Sequence, residues 1–154
     1  MNDTSNPSPQ NPILMAWIIW GALLFSGCIY IGLGVLQARE IKPIEPQMVT
    51  AIGGVGLLLL VASIIMRQVL ANPQRWLASG KSSAEMMNTM FPLPIPLMIV
   101  TWAMAESTAV FGLILTFMSG DTTYVFALGG ASCLTMLLVH RPARWRIEDL
   151  QSLP

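Results

Sequence analysis

The chain has 154 residues, 54% of them hydrophobic and 10% charged, with 8 Lys+Arg set against 8 Asp+Glu. Soluble domains carry roughly 25% charged residues. The composition therefore excludes a soluble globular domain and a disordered chain. With no basic face it also excludes a nucleic-acid binder.

In chain order, residues 1–12 form a polar tail without Lys or Arg, expected to be disordered. Apolar runs follow at 13–36, 48–66, 97–118 and 122–139, free of charge except for Glu106 in the third. The first outlasts the ~7–15-residue core of a signal peptide and lacks a basic leader, so it is expected to be retained. Crossing a ~30 Å hydrocarbon layer takes about 20 residues of helix, and the fourth run is at the short end of that range. Backbone in lipid must satisfy its own hydrogen bonds. No run alternates with the period of two that a barrel strand needs. The expected fold class is an all-α membrane protein, a four-transmembrane-helix bundle over residues 13–140.

Basic residues set the expected orientation. Arg67, Arg75 and Lys81 fall between spans two and three, and Arg141, Arg144 and Arg146 follow span four. Arg39 and Lys42 occupy the opposite side. Six against two puts both termini in the cytoplasm, in a cell membrane (the inner one in a bacterium).

Between spans one and two, Pro43 and Pro46 mark a short non-cytoplasmic link, and Ser119-Gly120-Asp121 is a tight turn between spans three and four. The cytoplasmic loop 67–96 is longer. Within it, Ser82-Ser83-Ala84-Glu85 resembles a capping box, ahead of Met86, Met87, Met90 and Phe91. An interfacial helix on the membrane surface and a helix tucked under the bundle are both consistent with that pattern. Prolines at 92, 94 and 96 then interrupt any helix before span three. Residues 141–154 are a cytoplasmic C-terminal tail.

Cys28 and Cys133 lie inside spans one and four without a CxxC partner or a neighbouring His. They are expected to be small buried thiols at helix contacts, with no metal or redox role. His140 ends span four and is expected to cap it. Gly27 and Gly34, seven residues apart, share a helix face. Small residues let helices approach closely in lipid, either inside the bundle or between copies of the chain. A weak repeat also runs through the chain. A shift of 81 brings Ser26 onto Ser107 and Tyr30 onto Phe111, and a shift of 76 brings Gly53-Gly54 onto Gly129-Gly130. Two similar hairpins in the same orientation would produce it.

Of the sixteen charges, only Glu106 falls inside an expected span, near the bilayer centre. An acid there costs roughly 2.5–3.5 kcal/mol on insertion scales and marks an ion path or a buried partner. No Lys, Arg or His lies at its depth, so hydroxyls are its available company. Ser107 and Thr108 follow it directly; Thr101, Ser26, Ser132 and Thr135 are at similar depth. Such groups can hydrogen-bond a carboxyl or complete an oxygen shell around a small cation.

The segment Ala105-Glu106-Ser107-Thr108-Ala109-Val110-Phe111-Gly112-Leu113-Ile114-Leu115 resembles the ion-carrying helix of the c subunit (proteolipid) of rotary ATP synthases. The resemblance covers about a dozen residues and implies reversible H+ or Na+ binding at Glu106, with Ser107 and Thr108 beside it, in an oligomeric ring. Phe111 stands where sodium binders of that family place a Tyr, and the loop before the helix is longer than theirs.

Two functional readings follow. In one, the chain is an oligomer-forming or accessory subunit of a larger membrane complex, partnered by lipid, by itself or by other membrane subunits. Glu106 then fixes helix packing. In the other, it is a proteolipid-like subunit moving protons or sodium on Glu106. Intramembrane catalysis would want a second acid, a Ser/His arrangement or a metal cluster. The chain is therefore expected not to be an enzyme and to need no cofactor.

Overall fold

A computed structural model describes residues 12–37, 40–70 and 95–142. The expected polar tail, the interfacial helix within 67–96 and most of the C-terminal tail lie outside those residues.

All the described secondary structure is helical. Helix α1 spans Pro12–Gln37, α2 Pro46–Leu70 and α3 Ile95–Ser119. Each is long and apolar enough to cross a membrane. Pro46 opens α2, where its missing N–H costs nothing. The fourth helical segment is shorter. It begins as a π-helical stretch, Val125–Gly129, and continues as α4, Gly130–Leu138.

Helix α3 is the centre of the fold. Its apolar window is 44% buried, against 11% for α1 and 17% for α2. Helices α1 and α2 both pack on α3 and have little contact with each other, whereas α3 and the fourth segment pack closely. The first pair of helices is splayed around α3 and the second pair is closed. Glycines stand at the close approaches. Gly56 of α2 turns toward α3, where an added Cβ would sit 3.2 Å from Phe111 Cβ. At Gly112 of α3, an added Cβ would stand 2.9 Å from the Tyr124 carbonyl oxygen.

The same contacts resolve the alternatives left open for Gly27 and Gly34. A methyl at Gly34 would approach Val125 Cγ1 to 2.7 Å, and one at Gly27 would approach Cys133 Sγ to 3.3 Å. Both glycines serve packing inside the bundle. Among the described residues, Gly21, Gly32, Gly54 and Gly130 have no such neighbour within 4 Å.

Two layers of side chains fill the interior. At one end Trp102, wholly buried, packs with Ala16, Leu60, Met98, Ala105 and Met136. Trp20 closes that layer, donating its indole N–H to the Met136 carbonyl at 3.1 Å. At the other end Val125 is wholly buried, and its backbone N–H donates to Thr116 Oγ1 at 3.1 Å. That bond satisfies a donor at the start of the π-helical stretch.

The turn joining α3 to the fourth segment is short for local reasons. Gly120 takes φ 74°, the left-handed conformation that ends helices, and its N–H donates to the Thr116 carbonyl. Asp121 then accepts the N–H of Thr123 at 2.8 Å. The Thr123 hydroxyl, and after it this backbone N–H, hold the Asp121 carboxyl below the usual carboxylate range.

Two charged or titratable groups stand elsewhere than the sequence implied. Arg67, expected in the loop, belongs to the last turn of α2 and is buried. His140, expected as a cap, is wholly buried, and its Nε2 lies 3.2 Å from Ser63 Oγ on α2. The end of α4 is closed instead by backbone, with the N–H groups of Val139 and His140 donating to the Thr135 carbonyl.

Candidate functional site: Glu106 between α1 and α3

Glu106 is the twelfth of the 25 residues of α3 and is half-buried at the contact with α1. Ser26 of α1 lies directly against it, hydroxyl to carboxyl. Tyr30, one helical turn further along α1, faces the same carboxyl and the Ser26 hydroxyl. Spacing explains why α1 supplies both groups. Residues four apart lie one above the other on a helix face, so the face of α1 that brings Ser26 to α3 brings Tyr30 too.

The Ser26 hydroxyl also lies 2.8 Å from the Leu23 carbonyl of its own helix. A serine hydroxyl has one hydrogen to donate and lone pairs with which to accept. Ser26 is therefore a junction between a backbone acceptor and a side-chain carboxyl, and its side chain is held from both sides.

Ser107 and Thr108 turn elsewhere. Ser107 donates to the Ala103 carbonyl of its own helix at 2.7 Å. Thr108, wholly buried, donates across to the Gly56 carbonyl of α2 at 2.9 Å. Of the other hydroxyls at this depth, Thr101 donates to the Met98 carbonyl at 2.8 Å and Ser132 to the Ala105 carbonyl at 2.6 Å. Thr135 is buried on α4.

A pattern emerges along one turn of α3. Position 105 receives a bond from α4, position 106 meets α1, and position 108 bonds α2. All three neighbouring helices are thus pinned at the same level, each by one polar contact. In lipid, helix register rests on close van der Waals packing and on interhelical hydrogen bonds. These three contacts supply the polar part at this level.

Sequence reasoning ranked Ser107 and Thr108 beside Glu106 because they adjoin it, and it left Tyr30 unassigned to the site. Adjacent helical residues point about 100° apart, so adjacency is a poor guide to contact. The useful signal was the four-residue spacing of Ser26 and Tyr30, the hydroxyl-bearing residues in the middle of α1.

Among the described residues, no three or more His, Cys, Asp or Glu side chains come together. A cleft of about 400 Å³ opens at the far end of α1 and α3, lined by Gln37, Glu40, Lys42, Phe117, Met118 and Gly120. Phe117 is three turns along α3 from Glu106, about 16 Å at the helical rise, so the cleft and the carboxyl are separate features.

Against known proteins, the chain matches no family model, no curated protein and no solved structure.

Proposed function

We propose that the chain is a small multi-pass subunit of a cell membrane that acts by assembly, with itself or with other membrane proteins, and has no catalytic chemistry of its own. It crosses the membrane four times with both termini in the cytoplasm, as the six-to-two distribution of basic residues favours. The observation that carries this reading is the outer face of α2. Gly54 has open space where a side chain would be, and Leu58, Val61 and Ile65 continue the same face, all exposed. Glycine weakens a helix by about 1 kcal/mol relative to alanine. In lipid it is favoured where another helix comes close. Gly53, its neighbour, faces α3, where an added Cβ would stand 3.8 Å from Leu115 Cδ1. Gly54 meets nothing among the described residues.

Native mass measurement after gentle extraction tests the proposal. A homo-oligomer or a stoichiometric unrelated subunit is expected, and Gly54→Leu should release it without unfolding the chain. A monomer free of partners in native membranes would sink the reading.

A second reading, reversible binding of a proton or sodium ion at Glu106, is favoured by the Ser26–Glu106–Tyr30 contact. It accords with the resemblance of residues 105–115 to the proteolipid helix. Under it, a hydrophobic carbodiimide modifies Glu106, and added sodium slows the modification if sodium is the ion. Absence of modification in native membranes counts against it.

A further inference from the structure

The bundle brings together two groups that the sequence kept far apart. Cys133 of α4 lies against Gly27 of α1, its sulfur 3.3 Å from the point where a Cβ would stand. The missing side chain at Gly27 lets this thiol reach the surface of α1 beside Cys28, and the two thiols interact. Both are free thiols, Cys28 exposed on the outside of α1 and Cys133 half-buried behind it. This differs from the expectation of two buried, inert thiols. The pair has an outer member open to the hydrocarbon and an inner member adjacent to it.

We propose that Cys28 and Cys133 form an oxidisable dithiol that reacts with lipid hydroperoxides and closes to an intramolecular disulfide between α1 and α4. The proposal is independent of how Glu106 functions. The Cys28 sulfur attacks the terminal oxygen of the hydroperoxide. The O–O bond breaks, and the lipid alcohol leaves with the proton that Cys28 gives up. Cys28 then carries a sulfenic acid. The Cys133 sulfur displaces its hydroxyl, which departs as water with the Cys133 proton, and the S–S bond forms. In total two thiols and one hydroperoxide become one disulfide, one lipid alcohol and one water. The sulfur pair loses two electrons and the peroxide gains them.

Charge accounting favours this outcome at mid-membrane depth. Every species along the route is written neutral, and a net charge near the bilayer centre is costly. The oxidant arises in the same hydrocarbon layer that Cys28 faces. Redox-sensing cysteines are often poised next to a resolving one, as Cys28 is next to Cys133. The reaction is slow, because a neutral thiol is a poor nucleophile compared with a thiolate. It therefore records sustained lipid oxidation and does not follow brief pulses. Its consequence is mechanical. Cys28 lies between Ser26 and Tyr30 in α1, so the bridge fastens the segment that faces Glu106 onto α4.

The full chain in proteoliposomes, treated with cumene hydroperoxide and then alkylated with a maleimide, provides the test. The expected result is joint loss of both alkylation sites in a monomeric product lighter by two hydrogens, reversed by a phosphine reductant. Cys133→Ser should leave Cys28 as a sulfenic acid trapped by dimedone. Gly27→Val, which pushes Cys133 away, should leave both thiols unbridged. Two thiols still open to alkylation after the lipid itself is oxidised would overturn the proposal. So would a bridge formed only between Cys28 residues of two copies.

Discussion

Ser26 of α1 and Glu106 of α3, 80 residues apart in the chain, are hydrogen-bonded to each other near the middle of both helices. The contact places the one acid within an apolar helix against a hydroxyl that is itself anchored to the Leu23 carbonyl. Whether Glu106 carries an ion or fixes packing, its chemistry runs through α1 and not through the residues next to it in sequence.

Carbodiimide reactivity of Glu106 should accordingly depend on α1. Ser26→Ala and Tyr30→Phe are expected to change the modification rate several-fold, because each removes a hydroxyl facing the carboxyl. Ser107→Ala and Thr108→Val should leave it unaltered, since their hydroxyls bond backbone carbonyls. Mass spectrometry of the labelled chain reads the rates. Equal effects from all four variants would show that the carboxyl draws on its sequence neighbours.

Stability should separate Thr108 from Ser107. The Thr108 hydroxyl ties α3 to α2, and interhelical polar bonds of this kind average about 0.6 kcal/mol in measured bundles. Thr108→Val should lower stability by about that amount. Ser107→Ala breaks only a bond within α3 and should fall within about ±0.5 kcal/mol of the parent, as surface changes usually do. Unfolding by denaturing detergent gives both numbers.

Two glycines of α1 provide a sharper contrast. Gly34→Ala puts a methyl 2.7 Å from Val125 Cγ1 and should cost about 1–3 kcal/mol, the usual range for overpacking. At Gly21 the same change meets nothing within 4 Å, and it should be neutral or stabilise α1 by up to about 1 kcal/mol. Thermal midpoints in one detergent measure the difference. Similar midpoints would mean that α1 does not seat against Val125.

His140 should confer a pH dependence. Burial, with the positive charge of Arg67 as a second cause, depresses its pKa to about 4 from the ordinary 6.5. The folded chain thus keeps it neutral where the unfolded chain would protonate it. The resulting stability is fully present above about pH 6.5 and is lost as pH falls towards about 4, by up to about 1.4 kcal/mol per pH unit. The parent should lose thermal stability across that window. His140→Gln, which can still donate towards Ser63, should lose less. Equal pH slopes would show that His140 titrates alike in the folded and unfolded chains.

Much of the architecture was legible because the bilayer imposes it. Residues 13–36, 48–66 and 97–118 are long, apolar and free of basic residues, and backbone in hydrocarbon is left with helix once the alternation of a barrel strand is missing. The helices at Pro12–Gln37, Pro46–Leu70 and Ile95–Ser119 follow from that constraint. Less legible was the fourth segment, where Gly34 of α1 and Gly112 and Thr116 of α3 all meet Val125 at the start of the π-helical stretch Val125–Gly129. Periodicity within one segment carries no trace of those neighbours.

Glu106 stood out by depth alone, since a charged group in an apolar run is visible without any partner in view. Ser26 stood only as one of six hydroxyls near its depth and Tyr30 did not stand out, because apolar helices of similar composition can be rotated and paired in many ways at nearly equal cost. Sequence by itself determined that there are membrane-length helices and that one acid sits in the middle of the third. Tertiary structure decided that α3 is central, that Ser26 and Tyr30 face Glu106, and that Thr108 and Ser132 pin α2 and α4 at the same level. The physical reason is the same throughout. Water and lipid act on each residue separately, whereas helix rotation is fixed by a few close contacts between residues far apart in the chain.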